Sequence, residues 1–146
     1  MKSMLTPLFV GLVASVASGP VVAEDKQDKA EAKKVDTRVF ELRTYYAHPG
    51  KMKALHARFR DHTCALFKKH DMTIVGFWVP TDPKESEEKL IYVLAFPSRE
   101  AADKSWRAFR DDADWKAARA ASEKDGPLVK KVESVFMNAT DYSPLK

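Results

Sequence analysis

Residues 37–80 read TRVFELRTYYAHPGKMKALHARFRDHTCALFKKHDMTIVGFWVP, and the order of patterns within this stretch decides the fold. Residues 37–47 alternate between two faces, which predicts a strand that ends at a His-Pro-Gly turn. Residues 51–70 carry apolar side chains at steps of three and four, which predicts a helix. Residues 72–79 return to the composition of a strand and stop at a Pro-rich turn.

The rest of the chain repeats this order without repeating the sequence. Residues 89–96 are almost wholly apolar, and the short polar link before them predicts an antiparallel hairpin. Ser98 then caps a helix, a second helical segment follows up to Gly126, and residues 128–138 form the last strand. The order βαββαβ predicts an α+β, ferredoxin-like fold, a four-stranded antiparallel sheet with both helices on one face.

The uncovered face of this sheet predicts self-association. It should carry Val75, Phe77, Ile91 and Val93, or their neighbours of opposite parity. Such a surface is too apolar to remain in water. We therefore expect a homodimer that forms by packing one open sheet face against the other.

Residues 1–23 have the pattern of a cleavable signal peptide. Lys2 gives a basic start, residues 4–16 are mostly apolar, and Ala23 precedes the predicted cut. A transmembrane anchor is the alternative, but Thr, Ser, Gly and Pro residues interrupt a run that should contain about 20 apolar residues. We expect a secreted or periplasmic protein with no stable membrane anchor after cleavage.

Composition limits the partners of the remaining chain. Residues 24–36, EDKQDKAEAKKVD, predict a charged flexible linker, with a frayed helical extension as the alternative, and residues 37–146 form the domain. Without Lys2, the remaining 24 basic and 21 acidic residues are interleaved, which argues against nucleic acid as a partner. Cys64 is the single cysteine, so an intrachain disulfide is excluded.

Six segments resemble the NIPSNAP family. They are ELRTYYAHPGKM (41–52), FRDHT (59–63), KKHDM (68–72), VGFWVP (75–80), SWRAFR (105–110) followed by Trp115, and VESVFMNATDYSPLK (132–146). The resemblance implies a dimeric α/β barrel, whose superfamily includes cofactor-independent monooxygenases and haem-degrading enzymes. It implies no single chemistry for this family. The chain departs from the family pattern at Asp71, where Gly is usual, and at Ala113, where Pro is common.

Glu41, Arg43 and Tyr45 form the first candidate ligand-binding group, because they share one face of the first strand. Arg43 could hold an acidic or oxygen-rich ligand in a pocket. The alternative is a salt bridge between Glu41 and Arg43 that serves only the fold or the dimer interface.

His62 and Trp78 complete the candidate ligand-binding residues. The helical period places His62 on the apolar stripe of the first helix, where it could move a proton or bind haem iron, or be a core histidine with one hydrogen bond. No HExxH motif occurs, so no metal site is expected. We predict no catalytic set and no cofactor.

Two functions follow from these patterns. The first is an exported, dimeric binding domain for a small hydrophobic or acidic ligand, or for a protein partner. The second is a cofactor-independent monooxygenase or haem-handling enzyme that uses Tyr45, His62 and Trp78 around a pocket.

Overall fold

The computed structural model describes residues 38–145, so the predicted signal peptide (1–23) and linker (24–36) lie outside the described residues. The elements in chain order are β1 (Val39–Ala47), α1 (Met52–Arg58), a π-helical segment (Phe59–Thr63), α2 (Cys64–Lys69), β2 (Thr73–Trp78), α3 (Pro83–Ser86), β3 (Lys89–Phe96), α4 (Arg99–Asp111), α5 (Ala113–Ser122) and β4 (Val129–Asn138).

The four strands form one antiparallel sheet in the order β2-β3-β1-β4, in which β1 pairs with both β3 and β4. This order places β3 and β1 at the centre and β2 and β4 at the edges, and the helices cover one face of the sheet. The predicted α+β, ferredoxin-like architecture is confirmed. α3, a single turn within the β2–β3 link, was not predicted.

The core lies between the helices and the covered face of the sheet, and aromatic rings dominate it. Phe67 of α2 is 1% exposed, and its ring contacts those of Phe59, Tyr92, Trp106 and Phe109 at centroid distances of 5.1 to 6.2 Å. Edge-to-face and tilted pairs at such distances are favourable beyond the area that they bury. These contacts join the first helical region to α4 across the sheet.

The π-helical segment overturns the predicted position of His62. The Cys64 N–H bonds to the Phe59 carbonyl, five residues back, so this turn holds about one residue more than an α-helical turn. The next side chain to enter the core after Phe59 is therefore Thr63, which is 1% exposed and donates to the Arg58 carbonyl at 3.2 Å. His62 is exposed and does not lie on the buried stripe.

A β-bulge overturns the predicted side of Phe77. The register between β2 and β3 shifts between Ile74 and Gly76, which inserts one residue and inverts the alternation after it. Phe77 therefore pairs with Tyr92 on the helix-covered face, where the two rings lie 5.4 Å apart. Trp78 belongs to the open face instead, since its indole lies against Gly76.

The open face of the sheet is apolar around Val75, Val93 and Val135, as expected, and polar at its other end, where Tyr46, Lys131 and Glu133 lie. Val93 and Val75 line a shallow cavity there, and Trp78 and Val135 are 51% and 54% exposed. The C-terminal segment reaches one side of this cavity through Leu145.

Asp71 ends α2 in a conformation that favours glycine. Its φ is +57°, and its N–H and that of Met72 bond to the carbonyls of Lys68 and Phe67, the pattern of a Schellman cap. We expect Asp71→Gly to raise the free energy of unfolding by about 0.5–1 kcal/mol, because glycine removes the left-handed penalty. Urea denaturation followed by circular dichroism measures the change.

The control for this prediction is a glycine at a position where it should lower the free energy of unfolding. Ala120→Gly, on the exposed side of α5, should lower the free energy of unfolding by about 1 kcal/mol. A loss of stability in Asp71→Gly as well would contradict the assignment of strain to position 71.

Candidate functional site in the helix–sheet cleft

A cavity of about 360 Å³ lies between the covered face of the sheet and helices α4 and α5, and we call it the cleft. β1 contributes Arg43 and Tyr45, and the end of α1 contributes Arg58. The indoles of Trp106 on α4 and Trp115 on α5 complete the wall. β4 contributes Val132, so the cleft is built from five elements of the chain.

Two helix caps fix these indoles. The Ser98 hydroxyl accepts a hydrogen bond from the Ala101 N–H at 3.1 Å and begins α4, as predicted. Asp112 accepts hydrogen bonds from the N–H groups of Asp114 (2.7 Å) and Trp115 (3.3 Å) and begins α5. Asp112 therefore caps the N-terminus of α5, although this chain has Ala113 where the family commonly has proline.

Glu41 lies beside the cleft and holds two of its lining residues, Arg43 and Trp106, by hydrogen bonds. Its carboxylate is 1% exposed and accepts three hydrogen bonds, from Trp106 Nε1 (2.5 Å), Ser134 Oγ (2.6 Å) and Arg43 Nη1 (2.7 Å). The predicted pair between Glu41 and Arg43 is therefore present. It joins β1 to β4 and to α4.

Arg43 lies flat against an indole. Its Cζ is 4.3 Å from the centroid of the Trp106 ring, a cation–π geometry. Burial disfavours the charge of Arg43, but Tyr92, Tyr45 and Glu41 outweigh it and hold the pKa of Arg43 above its ordinary value. Arg43 is therefore a permanent cation at the floor of the cleft.

Arg58 forms a second buried cation on the opposite wall. It is 5% exposed, its Cζ is 5.3 Å from the Trp115 ring centroid, and its Nη1 donates to Glu123 Oε1 (2.9 Å) and Ser122 Oγ (3.3 Å). The other oxygen of Glu123 accepts from Arg119 Nε at 3.1 Å. Burial disfavours the Glu123 charge, yet Arg58 and Arg119 lower its pKa below the ordinary value.

Three buried polar atoms in this region have no hydrogen-bond partner among the described residues: Arg43 Nε, Arg58 Nε and the Tyr92 hydroxyl. Burial, above all, raises the pKa of Tyr92 well above its ordinary value, so this hydroxyl keeps its proton. Buried donors are nearly always satisfied in folded proteins, and an unsatisfied one costs about 1–3 kcal/mol. Two arginines of the cleft therefore keep a buried donor without an acceptor, which a ligand could reach only by moving the surrounding side chains.

The cleft is strongly cationic. Six of its lining residues are basic and one, Glu123, is acidic. The six are Arg43, Arg58, Arg110, Arg119, Lys130 and Lys131. Because aromatic rings and aliphatic stems fill the space between these charges, the cleft suits an anion that also has an apolar body.

The NIPSNAP family model matches residues 40–144, nearly the whole of the described chain. The chain belongs to the NIPSNAP family. A NIPSNAP family protein from Agrobacterium tumefaciens has a similar structure, with 21% identity, a TM-score of 0.65, and coverage of 75% of this chain and 99% of that one. A NIPSNAP-like domain protein from Burkholderia xenovorans is 12% identical, with a TM-score of 0.64 and coverage of 75% and 90%. Both likenesses concern the fold.

SnoaB, a cofactor-independent oxygenase from Streptomyces nogalater, is more distant from this NIPSNAP domain. It is 14% identical, with a TM-score of 0.46 and coverage of 74% of this chain and 98% of SnoaB. Similarity at this level carries no inference about activity. No curated protein sequence matches the chain.

The NIPSNAP domain brings together three of the five predicted ligand-binding residues. Arg43 and Tyr45 line the cleft, and Glu41 lies directly beside it, hydrogen-bonded to Arg43; all three belong to the covered face of the sheet and not to its open face. His62 is exposed on the π-helical segment. Trp78 lies outside the cleft, where it lines the open-face cavity of about 350 Å³ and an edge cavity of about 380 Å³.

Trp78 shares the edge cavity with Cys64. Burial raises the pKa of the Cys64 thiol, so the thiol stays protonated and is a weak nucleophile.

Sequence reasoning missed Arg58, Arg119 and Glu123 as parts of the NIPSNAP cleft. Arg58 follows Leu55 by three positions and so falls on the buried stripe, which was the available signal. Its partner Glu123 is 65 positions away. Helical periodicity says nothing about contacts at that separation.

Two negative observations concern residues 38–145 alone. No group of three or more His, Cys, Asp or Glu side chains is arranged to hold a metal ion there. No helix in the same range has the length and apolar content that crossing a bilayer requires.

Proposed function

We propose that this NIPSNAP protein is an exported homodimer that binds a small molecule with an apolar body and an acidic group, held in the helix–sheet cleft. The observation that carries the proposal is the pair of buried arginines, Arg43 and Arg58, each of which keeps an unpartnered Nε donor. A ligand carboxylate would accept from these donors without displacing Glu41 or Glu123, once the side chains that bury the two Nε atoms move aside.

The surroundings of the two arginines favour an anion over a neutral ligand. Hydrogen bonds between guanidinium and carboxylate are about twice as strong as those between neutral groups. Tyr45, Trp106 and Trp115 offer apolar surface beside the cations, on which a flat ring could pack. A hydrophobic acid satisfies both features at once.

The chemistry of the lining supports binding over catalysis. Among the described residues that line the cleft, none is Ser, Thr, Cys or His, so a nucleophile with an adjacent base is not assembled. Glu123, the acidic lining residue, is held by two arginines that lower its pKa and weaken it as a base.

Isothermal titration calorimetry with naphthalene-2-carboxylate tests this proposal, with naphthalene-2-carboxamide as the neutral analogue. The acid should bind at least about tenfold more tightly than the amide, because a charge-assisted bond adds about 1.5 kcal/mol or more. Arg58→Gln should abolish that preference. Equal affinity for acid and amide would contradict the proposal.

Two further variants serve as controls for this test. Arg119→Gln removes an exposed cation of the cleft and should weaken the acid several-fold without unfolding the domain. Lys53→Gln, also exposed but on α1 and outside the cleft, should change neither affinity. An equal loss in Lys53→Gln would mean that net charge alone, not the cleft, attracts the acid.

Dimerisation through the open face is the second part of the proposal. Val135 is exposed on the open face of the edge strand β4, opposite Leu42 of β1, so Val135→Asp should weaken the dimer at least about tenfold by burying an unpaired charge. Sedimentation equilibrium measures the dissociation constant. Ala120→Asp, on the exposed side of α5, is the control and should leave the dimer intact. A monomeric wild-type protein with a cooperative melt would contradict the dimer.

A further inference from the structure

A second cavity of about 340 Å³ lies beside the cleft, between α4 and strands β1 and β4. It shares Arg43, Trp106 and Arg110 with the cleft and adds Arg99 and Arg107. We infer that the ligand carries two acidic groups at opposite ends of a short, flat body, one group in each cavity. This inference rests on the proposed function and specifies its ligand class.

The second cavity is cationic although two acidic residues also line it. The Glu41 carboxylate already accepts hydrogen bonds from Trp106, Ser134 and Arg43. Asp103 forms an ion pair with Arg99 at 3.3 Å. Four basic residues face these two acids.

Two arginines in the second cavity are available to a ligand. Arg107 and Arg110 form no ion pair within 4 Å among residues 38–145, and both are exposed on α4. They are therefore free to approach a second acidic group.

The spacing of the two cavities sets the length of the ligand. On β4, Val132 lines the cleft and Ser134 lines the second cavity, and both belong to the covered face because they pair with Tyr45 and Arg43. Two residues along a strand span about 7 Å. Arg43 lies between the two regions and can contact the body of a ligand of that length.

A ligand with one acidic group would use only half of this arrangement. It would satisfy the buried donors of Arg43 and Arg58 but leave Arg107 and Arg110 facing solvent. A second acidic group adds a charge-assisted contact at the exposed end, where both arginines have room to reorient. The exposed end therefore determines selectivity, and the buried end determines whether an acid binds at all.

Calorimetry on the processed protein with naphthalene-2,6-dicarboxylate and naphthalene-2-carboxylate tests the inference. The dicarboxylate should bind at least about tenfold more tightly than the monocarboxylate. Arg107→Gln should reduce this preference to about twofold or less and leave the monocarboxylate affinity unchanged. Lys104→Gln, exposed on the same helix but outside both cavities, should keep the full preference.

Each other result overturns a defined part of the account. Equal affinity for the two probes, with the monocarboxylate lost in Arg58→Gln, overturns the two-acid ligand and leaves the proposed function intact. A preference that persists in Arg107→Gln places the second acid elsewhere and also overturns the inference. Failure of both probes to bind overturns the inference and the proposed function together.

Discussion

Replacing Glu41 by alanine is expected to lower the free energy of unfolding by about 3–5 kcal/mol, because it removes one partner of a buried ion pair. The substitution leaves the Trp106 N–H and the Ser134 hydroxyl without their acceptor. It also leaves Arg43, whose side chain is 18% exposed, with an uncompensated charge. The carboxylate joins two strands and a helix, so its loss loosens all three.

Guanidinium chloride denaturation followed by far-ultraviolet circular dichroism measures this effect. Glu133→Ala is the matched control on the neighbouring strand, since Glu133 forms an exposed pair with Lys131 at 2.5 Å. Exposed pairs contribute about 0–1 kcal/mol, so this variant should be near wild type. A Glu41→Ala variant as stable as Glu133→Ala would show that the buried network does not hold the cleft together.

Phe67→Ala should have an effect of similar size, about 3–5 kcal/mol, because it opens a cavity among four aromatic neighbours. One of those neighbours is Trp106, the indole on which Arg43 packs. We therefore expect the variant to bind naphthalene-2-carboxylate less tightly as well. Thermal unfolding and calorimetry on the same sample measure both effects.

The conservative variant Phe67→Leu separates volume from aromatic geometry. It keeps most of the apolar volume and should cost about 1 kcal/mol. Tyr142→Ala, at a position that is 84% exposed, should change stability by less than about 0.5 kcal/mol. A Phe67→Ala variant as stable as the wild-type protein would mean that the helices and the sheet are not joined through this side chain.

Local patterns in the sequence were sufficient for the architecture. The alternation in residues 37–47 predicted β1, because each face of a strand carries every second side chain. Ser98 predicted the start of α4, since its hydroxyl can accept a hydrogen bond from the first turn. Both features depend on neighbours within four residues, which a sequence displays directly.

The positions of His62 and Phe77 were predicted wrongly because a regular helical or strand period takes no account of local insertions. One extra residue in the turn after Phe59 exposes His62, and one extra residue in β2 carries Phe77 to the helix side. Insertions of this kind are stabilised by packing from other elements, such as the contact between the Phe77 and Tyr92 rings. The local sequence does not specify them.

The sequence predicted one part of the cleft and not the other. The ion pair between Glu41 and Arg43 was predictable because the two residues share one face of a strand. The contact between Arg58 and Glu123 was not, because it depends on how α1 packs against the end of α5. Half of the proposed binding site therefore required the tertiary structure.

The structural and ligand-binding interpretations of Arg43 are compatible. Its Nη1 bonds to Glu41 and belongs to the network that holds β1, β4 and α4. Its Nε is buried without a partner among the described residues. One edge of the guanidinium thus serves the fold, and a second donor remains for a ligand.

The most direct test of the central claim observes the arginine Nε–H groups by ¹H–¹⁵N NMR during titration with naphthalene-2-carboxylate. The account predicts that the Arg43 and Arg58 resonances shift as the acid saturates, while that of Arg60, exposed and outside the cleft, does not. Binding detected by calorimetry without a shift at either Arg43 or Arg58 would contradict it.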